Sequence, residues 1–242
     1  MKNPTAYSLL LLALLLSQCS VNKDSNQSLK DETNMRASTI MELTTFNINP
    51  NVNPEAFKKR DLEIENDYTS KQPGFIKRQS GVNDKGEYAV LVYWKSTAAA
   101  AASMKKFMSD ASVADYAQMI NGLSMKMSRY AMDKDFDAPN SNFVEVMTFN
   151  VKQGTDLAKF KLLNYKVETD FTGKRTGFLQ RLIGVDDEGR QAVAIYWTDK
   201  TSSDASLDGF MAHPTSKAFM QEMDAATMFM GRYSFLNKRI SK

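Results

Sequence analysis

The feature that most constrains this chain is an internal repeat at a fixed spacing of 103 residues. The register holds without a gap over about 90 residues, with roughly 30 identities, which chance does not produce. The recurring segments include Gly74-Phe75 with Gly177-Phe178, Tyr93-Trp94 with Tyr196-Trp197, and Arg129-Tyr130 with Arg232-Tyr233. Residues 39–132 and 142–235 are therefore predicted to be two copies of one structural unit, joined by a polar linker over 133–141 and followed by a tail over 236–242.

Both halves show the same pattern of predicted elements. Alternating apolar residues predict the first strand, and two segments that flank a hairpin turn with a glycine predict the second and third. A capped apolar stripe predicts a first helix. In the first half the predicted strands are Met41–Ile48, Phe75–Val82, Tyr88–Trp94 and Met125–Met132, and the predicted helices are Pro54–Thr69 and a second one over about 96–121, broken near Ser109-Asp110-Ala111. The second half repeats this order with strands at Phe143–Val151 and Met228–Phe235 and a helix break at His213-Pro214.

The order β-α-β-β-α-β predicts an α+β fold, a ferredoxin-like unit with its helices packed on one face of an antiparallel sheet. The other face of that sheet also carries apolar residues and needs a cover. Two copies placed back to back would supply it. We therefore expect two tandem units that form one α+β barrel within a single chain.

The first 38 residues are predicted to be a signal peptide followed by a lipidated Cys and a flexible tether. Lys2 and a short apolar run predict a signal peptide over residues 1–18, because the run is too short to span a membrane. Leu16-Ser17-Gln18-Cys19 resembles a bacterial lipobox, which implies lipidation at Cys19. Residues 20–38 are polar and predict a flexible tether. A plain secretory signal with an incidental Cys is the alternative.

Composition excludes several classes of function. One Cys rules out an intramolecular disulfide, and one His rules out a metal site built from several His, so no metal site is predicted. The 31 Lys+Arg against 28 Asp+Glu are too balanced to indicate nucleic-acid binding. The sequence also has no phosphate-binding glycine loop.

Both halves resemble the antibiotic-biosynthesis-monooxygenase family of dimeric α/β barrels. The resemblance depends on Phe46-Asn47, Pro73-Gly74-Phe75, Gly86 and Val92-Tyr93-Trp94, and on their counterparts in the second half. Family members usually dimerise to close the barrel, so the two halves of this chain imply a monomer that is an internal pseudo-dimer. The family includes oxygenases that need no cofactor and haem-degrading enzymes. The haem-degrading activity is disfavoured, because Met119 and Glu222 stand where the axial His would fall.

The resemblance implies a set of site residues. In oxygenase members an Asn on the first strand and a Trp line the cavity, and Asn47, Asn150, Trp94 and Trp197 match these positions. An amide can stabilise developing negative charge on a substrate. For each of these residues a structural role is the alternative, a strand-end tie for the Asn pair and core packing for the Trp pair.

Three further groups of residues are candidates from their chemistry. Arg78 and Arg181 would hold an anionic or phenolate substrate, or else form ion pairs with a carboxylate such as Glu42 or Glu145. His213 would serve as a base, or else is a structural loop residue. Tyr93 and Tyr196 would offer hydroxyls to a ligand, or else pack in the core.

These observations predict an exported, lipid-anchored protein of the bacterial cell envelope, either periplasmic or at the cell surface. Its predicted activity is oxygenation of a small apolar or aromatic molecule without a cofactor. Asn150, Arg181 and His213 are the predicted catalytic residues. Asn47, Trp94, Trp197, Arg78, Tyr93 and Tyr196 are the predicted substrate-binding residues. A surface lipoprotein that binds a small molecule without chemistry is the alternative.

Overall fold

A computed structural model describes residues 39–237 of the chain. The predicted signal peptide, Cys19, the tether and the last five residues of the predicted tail lie outside the described residues. Among residues 39–237, no helix has the length and hydropathy needed to cross a bilayer.

The described chain forms eight strands and six helices. The strands are β1 (Ile40–Phe46), β2 (Phe75–Val82), β3 (Tyr88–Trp94), β4 (Lys126–Met132), β5 (Phe143–Phe149), β6 (Phe178–Val185), β7 (Gln191–Trp197) and β8 (Phe229–Phe235). The helices are α1 (Pro54–Asp67), α2 (Thr97–Phe107), α3 (Ala114–Met119), α4 (Leu157–Asp170), α5 (Lys200–Ser206) and α6 (Pro214–Glu222). Each of β1–β4 and α1 has a counterpart of the same length 103 positions later.

Local signals explain where the elements begin and end. Asn53 caps α1 by accepting hydrogen bonds from the backbone N–H groups of Glu55 (2.9 Å) and Ala56 (3.1 Å), and Pro54 occupies the first helical position. The second helical region is broken in both halves, as predicted. The break is longer in the second half, since α5 ends at Ser206 and Gly209 follows with a φ of +77°.

The eight antiparallel strands close into one barrel in the order β1-β3-β2-β8-β5-β7-β6-β4. Within each half the ladders run the full length of the strands. The halves meet along two short ladders. One pairs Gly81 with Phe235 and Val82 with Ser234, and the other pairs Ala131 with Val185 and Met132 with Gly184. The predicted α+β class and barrel closure are confirmed.

Glycine is required where the two halves meet. A Cβ on Gly81 would lie 2.9 Å from the Cβ of Tyr233 and 3.0 Å from the carbonyl oxygen of Ser234. A Cβ on Gly184 would lie 2.5 Å from the sulfur of Met132. These two glycines are 103 residues apart and occupy equivalent positions. Their missing side chains let the strands of the two halves approach to hydrogen-bonding distance.

The barrel interior is one apolar core built from both halves, and the helices cover the outside of the barrel. Met41, Leu43, Val144 and Leu182 are among the side chains that meet inside. The linker contributes to this core, because Phe136 stacks on Tyr93 with ring centroids 4.9 Å apart. The polar linker sequence therefore also fills part of the barrel.

Candidate functional site

A cavity of about 100 Å³ opens between the outer face of the first-half sheet and the helices that cover it. Outward-facing residues of neighbouring strands form its floor, because side chains alternate between the two faces of a strand. Helices α1, α2 and α3 form its walls. The polar and aromatic groups that it offers a ligand include Glu42, Arg78, Trp94, Tyr68 and Tyr116.

Arg78 enters the cavity wall already paired with a buried carboxylate. Its two terminal nitrogens donate to the carboxylate oxygens of Asp61 at 2.6 and 3.0 Å, and the Tyr116 hydroxyl donates to the same carboxylate at 2.7 Å. Burial alone would raise the pKa of Asp61, but Arg78 and Tyr116 outweigh it and hold that pKa below its usual value. The network keeps Asp61 ionised, and the positive charge of Arg78 is neutralised before any ligand arrives.

Glu42 is the carboxylate that lines the cavity itself, and its environment differs from that of Asp61. It is 5% exposed and accepts a hydrogen bond of 2.6 Å from Nε of Arg129, its cross-strand neighbour on β4. Burial raises the pKa of Glu42, and Arg129 only partly offsets that effect. Glu42 is therefore the cavity carboxylate that more readily takes up a proton.

Trp94 supplies an unsatisfied donor to the same cavity. The residue is 1% exposed, and its ring packs edge-to-face on Phe75 at 6.0 Å. Its indole N–H has no hydrogen-bond partner among residues 39–237. A buried donor without a partner costs free energy unless a ligand or water satisfies it. An oxygen atom of a ligand would satisfy it.

The equivalent positions of the second half carry a different set of side chains. Asn164 replaces Asp61, and Phe219 replaces Tyr116. Arg181, which is 1% exposed, donates to the carbonyl oxygen of Asn164 at 2.9 Å and to its side-chain oxygen. Burial without a paired carboxylate lowers the pKa of Arg181 to about 10. The second half thus holds a buried guanidinium whose acceptors are neutral.

Glu145, the counterpart of Glu42, is more fully bonded. Its Oε1 accepts hydrogen bonds from Nε of Arg232 at 3.1 Å and from the hydroxyl of Ser203. Ser203 occupies the position of Ala100 in the first half, and both residues are fully buried. Helix α5 thus caps the carboxylate of Glu145.

The structure places the other predicted site residues as follows. Asn47 and Asn150 are exposed at the ends of β1 and β5, where their backbone groups bond to the turns before the last strand of each half. Trp197 is fully buried and packs edge-to-face on Phe178 at 5.9 Å. His213 precedes α6 and lies against Phe171, with ring centroids 5.3 Å apart.

Tyr93 and Tyr196 lie inside the barrel, on the opposite face of the sheet from the cavity. Their hydroxyls bond to each other, and burial raises the pKa of both. Of the nine predicted catalytic and substrate-binding residues, the first-half cavity brings together Arg78 and Trp94.

Sequence reasoning missed Asp61 and Asn164 as partners of the two arginines. A signal for Asp61 was present, because it lies four residues after Phe57 and three before Ile64 on the buried stripe of α1. A carboxylate at such a position needs a cation, and the outward-facing Arg78 supplies it. Within residues 39–237, no cluster of three or more His, Cys, Asp or Glu side chains is arranged to hold a metal ion.

Solved structures share this architecture. A candidate monooxygenase from Fusobacterium nucleatum subsp. nucleatum superposes with a TM-score of 0.62 and 14% identity, covering 84% of this chain and 94% of that one. The chain shares the fold of that structure. An anthrone oxidase-like protein gives a TM-score of 0.60 at 13% identity, covering 84% of this chain and 93% of that one.

A third structure is a ferredoxin-fold protein from Listeria monocytogenes that is related to antibiotic biosynthesis monooxygenases. It superposes with a TM-score of 0.51 at 8% identity, covering 83% of this chain and 95% of that one. Each match covers more of this chain than one half contains. No protein-family model and no curated protein matches the sequence.

Proposed function

We propose that this protein binds a small aromatic molecule in the first-half cavity and oxygenates it with O₂, without a cofactor. The observation that carries the proposal is the composition of that cavity. An apolar lining is combined with one unsatisfied donor, Trp94, and one carboxylate of raised pKa, Glu42. The likeness to proteins named as monooxygenases and to an anthrone oxidase-like protein supports the reaction class.

The cavity volume limits the ligand. A cavity of about 150 Å³ holds a molecule of benzene, so this cavity of about 100 Å³ admits one aromatic ring only after small side-chain movements. Met104 and Met125 lie in the lining, and their flexible thioethers can make that room. A larger ligand would place one ring inside and leave the rest at the opening.

Binding can be measured with Trp94 as the reporter. The chain has two Trp residues, so Trp197→Phe leaves the cavity indole as the single source of Trp emission. Anthrone is expected to quench it. Ser103→Leu, in the cavity lining, is expected to weaken the quenching at least 10-fold. Ser206→Leu, the same change at the equivalent position of the second half, is the matched control. An equal loss of quenching in Ser103→Leu and Ser206→Leu would refute the assignment of the binding site to the first-half cavity.

The proposed oxygenation is measured as oxygen uptake in the presence of anthrone. One anthrone and one O₂ give one anthraquinone and one water. Uptake above the rate without protein, with anthraquinone formed in equal amount, is expected.

Binding without chemistry is the second candidate function. It is favoured by the exposure of Asn47 at the end of β1, because the amide expected to stabilise a developing anion does not line the cavity. Quenching of Trp94 emission by anthrone without oxygen uptake would support binding without chemistry.

We also propose that the protein is exported and anchored to the bacterial envelope through a lipid on Cys19. The support is the apolar run that ends in Leu16-Ser17-Gln18-Cys19. Cys19→Ala is expected to move the protein from the membrane fraction to the soluble fraction. Unchanged membrane retention would contradict the anchor.

We further propose that residues 39–132 and 142–235 are tandem copies of one ferredoxin-like unit, and that the barrel they close is monomeric. The constant offset of 103 residues between equivalent strands supports this. Sedimentation equilibrium of the full chain in detergent is expected to give one chain per particle. A stable dimer would refute the monomer.

A further inference from the structure

Arg181, the arginine of the second half, is a buried cation whose hydrogen-bond acceptors carry no charge. One terminal nitrogen donates to the carbonyl oxygen of Asn164 at 2.9 Å, and the other donates to its side-chain oxygen. Arg78, at the equivalent position of the first half, instead forms an ion pair with Asp61. A buried charge is costly unless a counter-charge accompanies it. Both halves therefore bury the same guanidinium, but the described chain pairs only the first with a carboxylate.

Two carboxylates act on Arg181 through space, and both are bonded to other groups. Glu168 accepts a hydrogen bond of 2.9 Å from Nζ of Lys134. Asp133 accepts one of 2.8 Å from the backbone N–H of Ile183. Burial lowers the pKa of Arg181 to about 10, and the charges of Glu168 and Asp133 offset that effect only in part. Neither carboxylate therefore takes the place that Asp61 has in the first half.

The pair formed by Arg181 and Asn164 also has more donors than acceptors. Nε of Arg181 and Nδ2 of Asn164 are buried and have no hydrogen-bond partner among residues 39–237. In Asp61 the atom that corresponds to Nδ2 is a carboxylate oxygen, which accepts from Arg78 at 3.0 Å. The change from Asp to Asn thus turns an acceptor into a donor beside a cation. Because buried donors without an acceptor cost free energy, this arrangement favours a ligand that only accepts.

Helix α6 adds a third buried group without a partner. Ser216 is fully buried, and its Oγ has no hydrogen-bond partner among the described residues. Phe219, three residues later on the same face of α6, has its ring centroid 5.7 Å from Cζ of Arg181. The ring of Phe219 also stacks on Phe160 of α4 at 5.5 Å, so this face of α6 covers the helix that carries Asn164. A ligand held in such an enclosed place must be small.

We propose that a small inorganic anion, such as chloride, binds beside Arg181 and Asn164 and supplies the negative charge that Asp61 supplies in the first half. Chloride accepts hydrogen bonds and donates none, which matches the unpartnered donors. Its charge compensates the buried guanidinium, and a water molecule in the same place would not do so. The anion is a counter-ion that stabilises the fold, and its site is independent of the activity proposed for the first-half cavity.

The thermal stability of the full chain in detergent measures this binding. Chloride is titrated against gluconate, an anion too large for the enclosed site, at constant ionic strength, so that the screening of surface charges stays fixed. Circular dichroism gives Tm at each chloride concentration. A ligand that binds only the folded chain raises stability with its concentration. For a chain of this size we expect Tm to rise by about 3–6 °C for each tenfold increase in chloride above its Kd.

Two variants with the same change of charge locate the site. Asn164→Asp removes a donor and places a carboxylate that repels the anion, so the dependence of Tm on chloride should be lost. Gln153→Glu makes the same change of charge at an exposed position and should keep the wild-type dependence. Line broadening of the ³⁵Cl NMR signal by the folded chain is a readout independent of stability. It should likewise be lost in Asn164→Asp and kept in Gln153→Glu.

Two results would overturn the anion site. One is a wild-type Tm that does not respond to chloride, which is expected if a water molecule occupies the place beside Arg181. The other is an equal chloride dependence in Asn164→Asp and Gln153→Glu, which would show that chloride acts elsewhere on the chain.

Discussion

Exchanging the arginine partners between the two halves should move stability in opposite directions. Asp61→Asn gives the first half the neutral partner of the second, and Asn164→Asp gives the second half the carboxylate of the first. The substitutions are nearly isosteric, so packing changes little. What changes is whether a buried guanidinium, 3% exposed for Arg78 and 1% for Arg181, faces a negative charge.

The magnitude follows from the bonds that are lost or gained. Removing one partner of a buried ion pair costs about 3–5 kcal/mol, and Asn keeps one acceptor, so we expect about 3 kcal/mol for Asp61→Asn. In a domain of this size that lowers Tm by roughly 6–12 °C. Asn164→Asp turns the side-chain contact of Arg181 into a bond to a carboxylate, leaves its contact with the backbone carbonyl unchanged, and gains no tyrosine hydroxyl, since Phe219 stands there. We expect a stabilisation of about 1–2 kcal/mol.

The pH dependence of the free energy of unfolding tests the Asp61→Asn prediction a second time. The pKa of Asp61 is lower in the folded state than in the unfolded state. Its stabilising contribution is therefore complete above the unfolded value of about 3.9 and is lost as the pH falls through the lower folded value. The difference between the wild type and Asp61→Asn should be constant at neutral pH and shrink in acid.

Urea denaturation followed by circular dichroism at several pH values measures all of these quantities. If Asp61→Asn costs less than 0.5 kcal/mol, or if Asn164→Asp destabilises the chain, the charge argument is refuted.

Three further predictions concern the barrel and the cavity. Gly81→Ala should destabilise the chain by about 1–3 kcal/mol through overpacking where the halves meet. A Cβ added at Gly122 meets no atom within 4 Å, so Gly122→Ala should change the free energy of unfolding by less than about 0.5 kcal/mol in the same urea titration. Phe136→Ala should cost about 1–3 kcal/mol, because two aromatic contacts inside the barrel are lost; an unchanged midpoint would contradict the role of the linker in the core. Burial raises the pKa of Glu42, so its wild-type carboxyl stabilises the fold below about pH 4 and less as the pH rises through its folded value. The free energy of unfolding of Glu42→Gln, relative to that of the wild type, should therefore be higher at pH 8 than at pH 4. The opposite trend would show that the Arg129 bond dominates.

The fold was predictable because its signals are local and occur twice. Residues Phe75–Val82 and Tyr88–Trp94 form strands with the predicted bounds, since a turn with Gly86 at positive φ separates them. Other strand ends differ by one or two residues. The repeat then required a cover for the second face of each sheet, and barrel closure followed from it.

The site was harder to predict, because its decisive contacts are between residues that are distant in sequence and unlike in the two halves. Arg78 and Arg181 occupy equivalent positions on β2 and β6, but only Arg78 has a carboxylate partner on the preceding helix. The family pattern also drew attention to identical residues in the two halves, such as Asn47 and Asn150, and these lie exposed. The informative positions were those where the repeat fails, such as Ala100 and Ser203. Phe136 was missed because a single aromatic residue in a polar linker does not indicate a buried segment.

Closure of the barrel by strands of one chain has a consequence for how the protein responds to dilution. When two separate subunits form such a barrel, the fraction assembled falls as the concentration falls. Here β2 meets β8 and β4 meets β6 within the same polypeptide, so each half stays at a high effective concentration next to the other. The short ladders between the halves therefore form without depending on the protein concentration. The unfolding midpoint should be the same at nanomolar and micromolar chain.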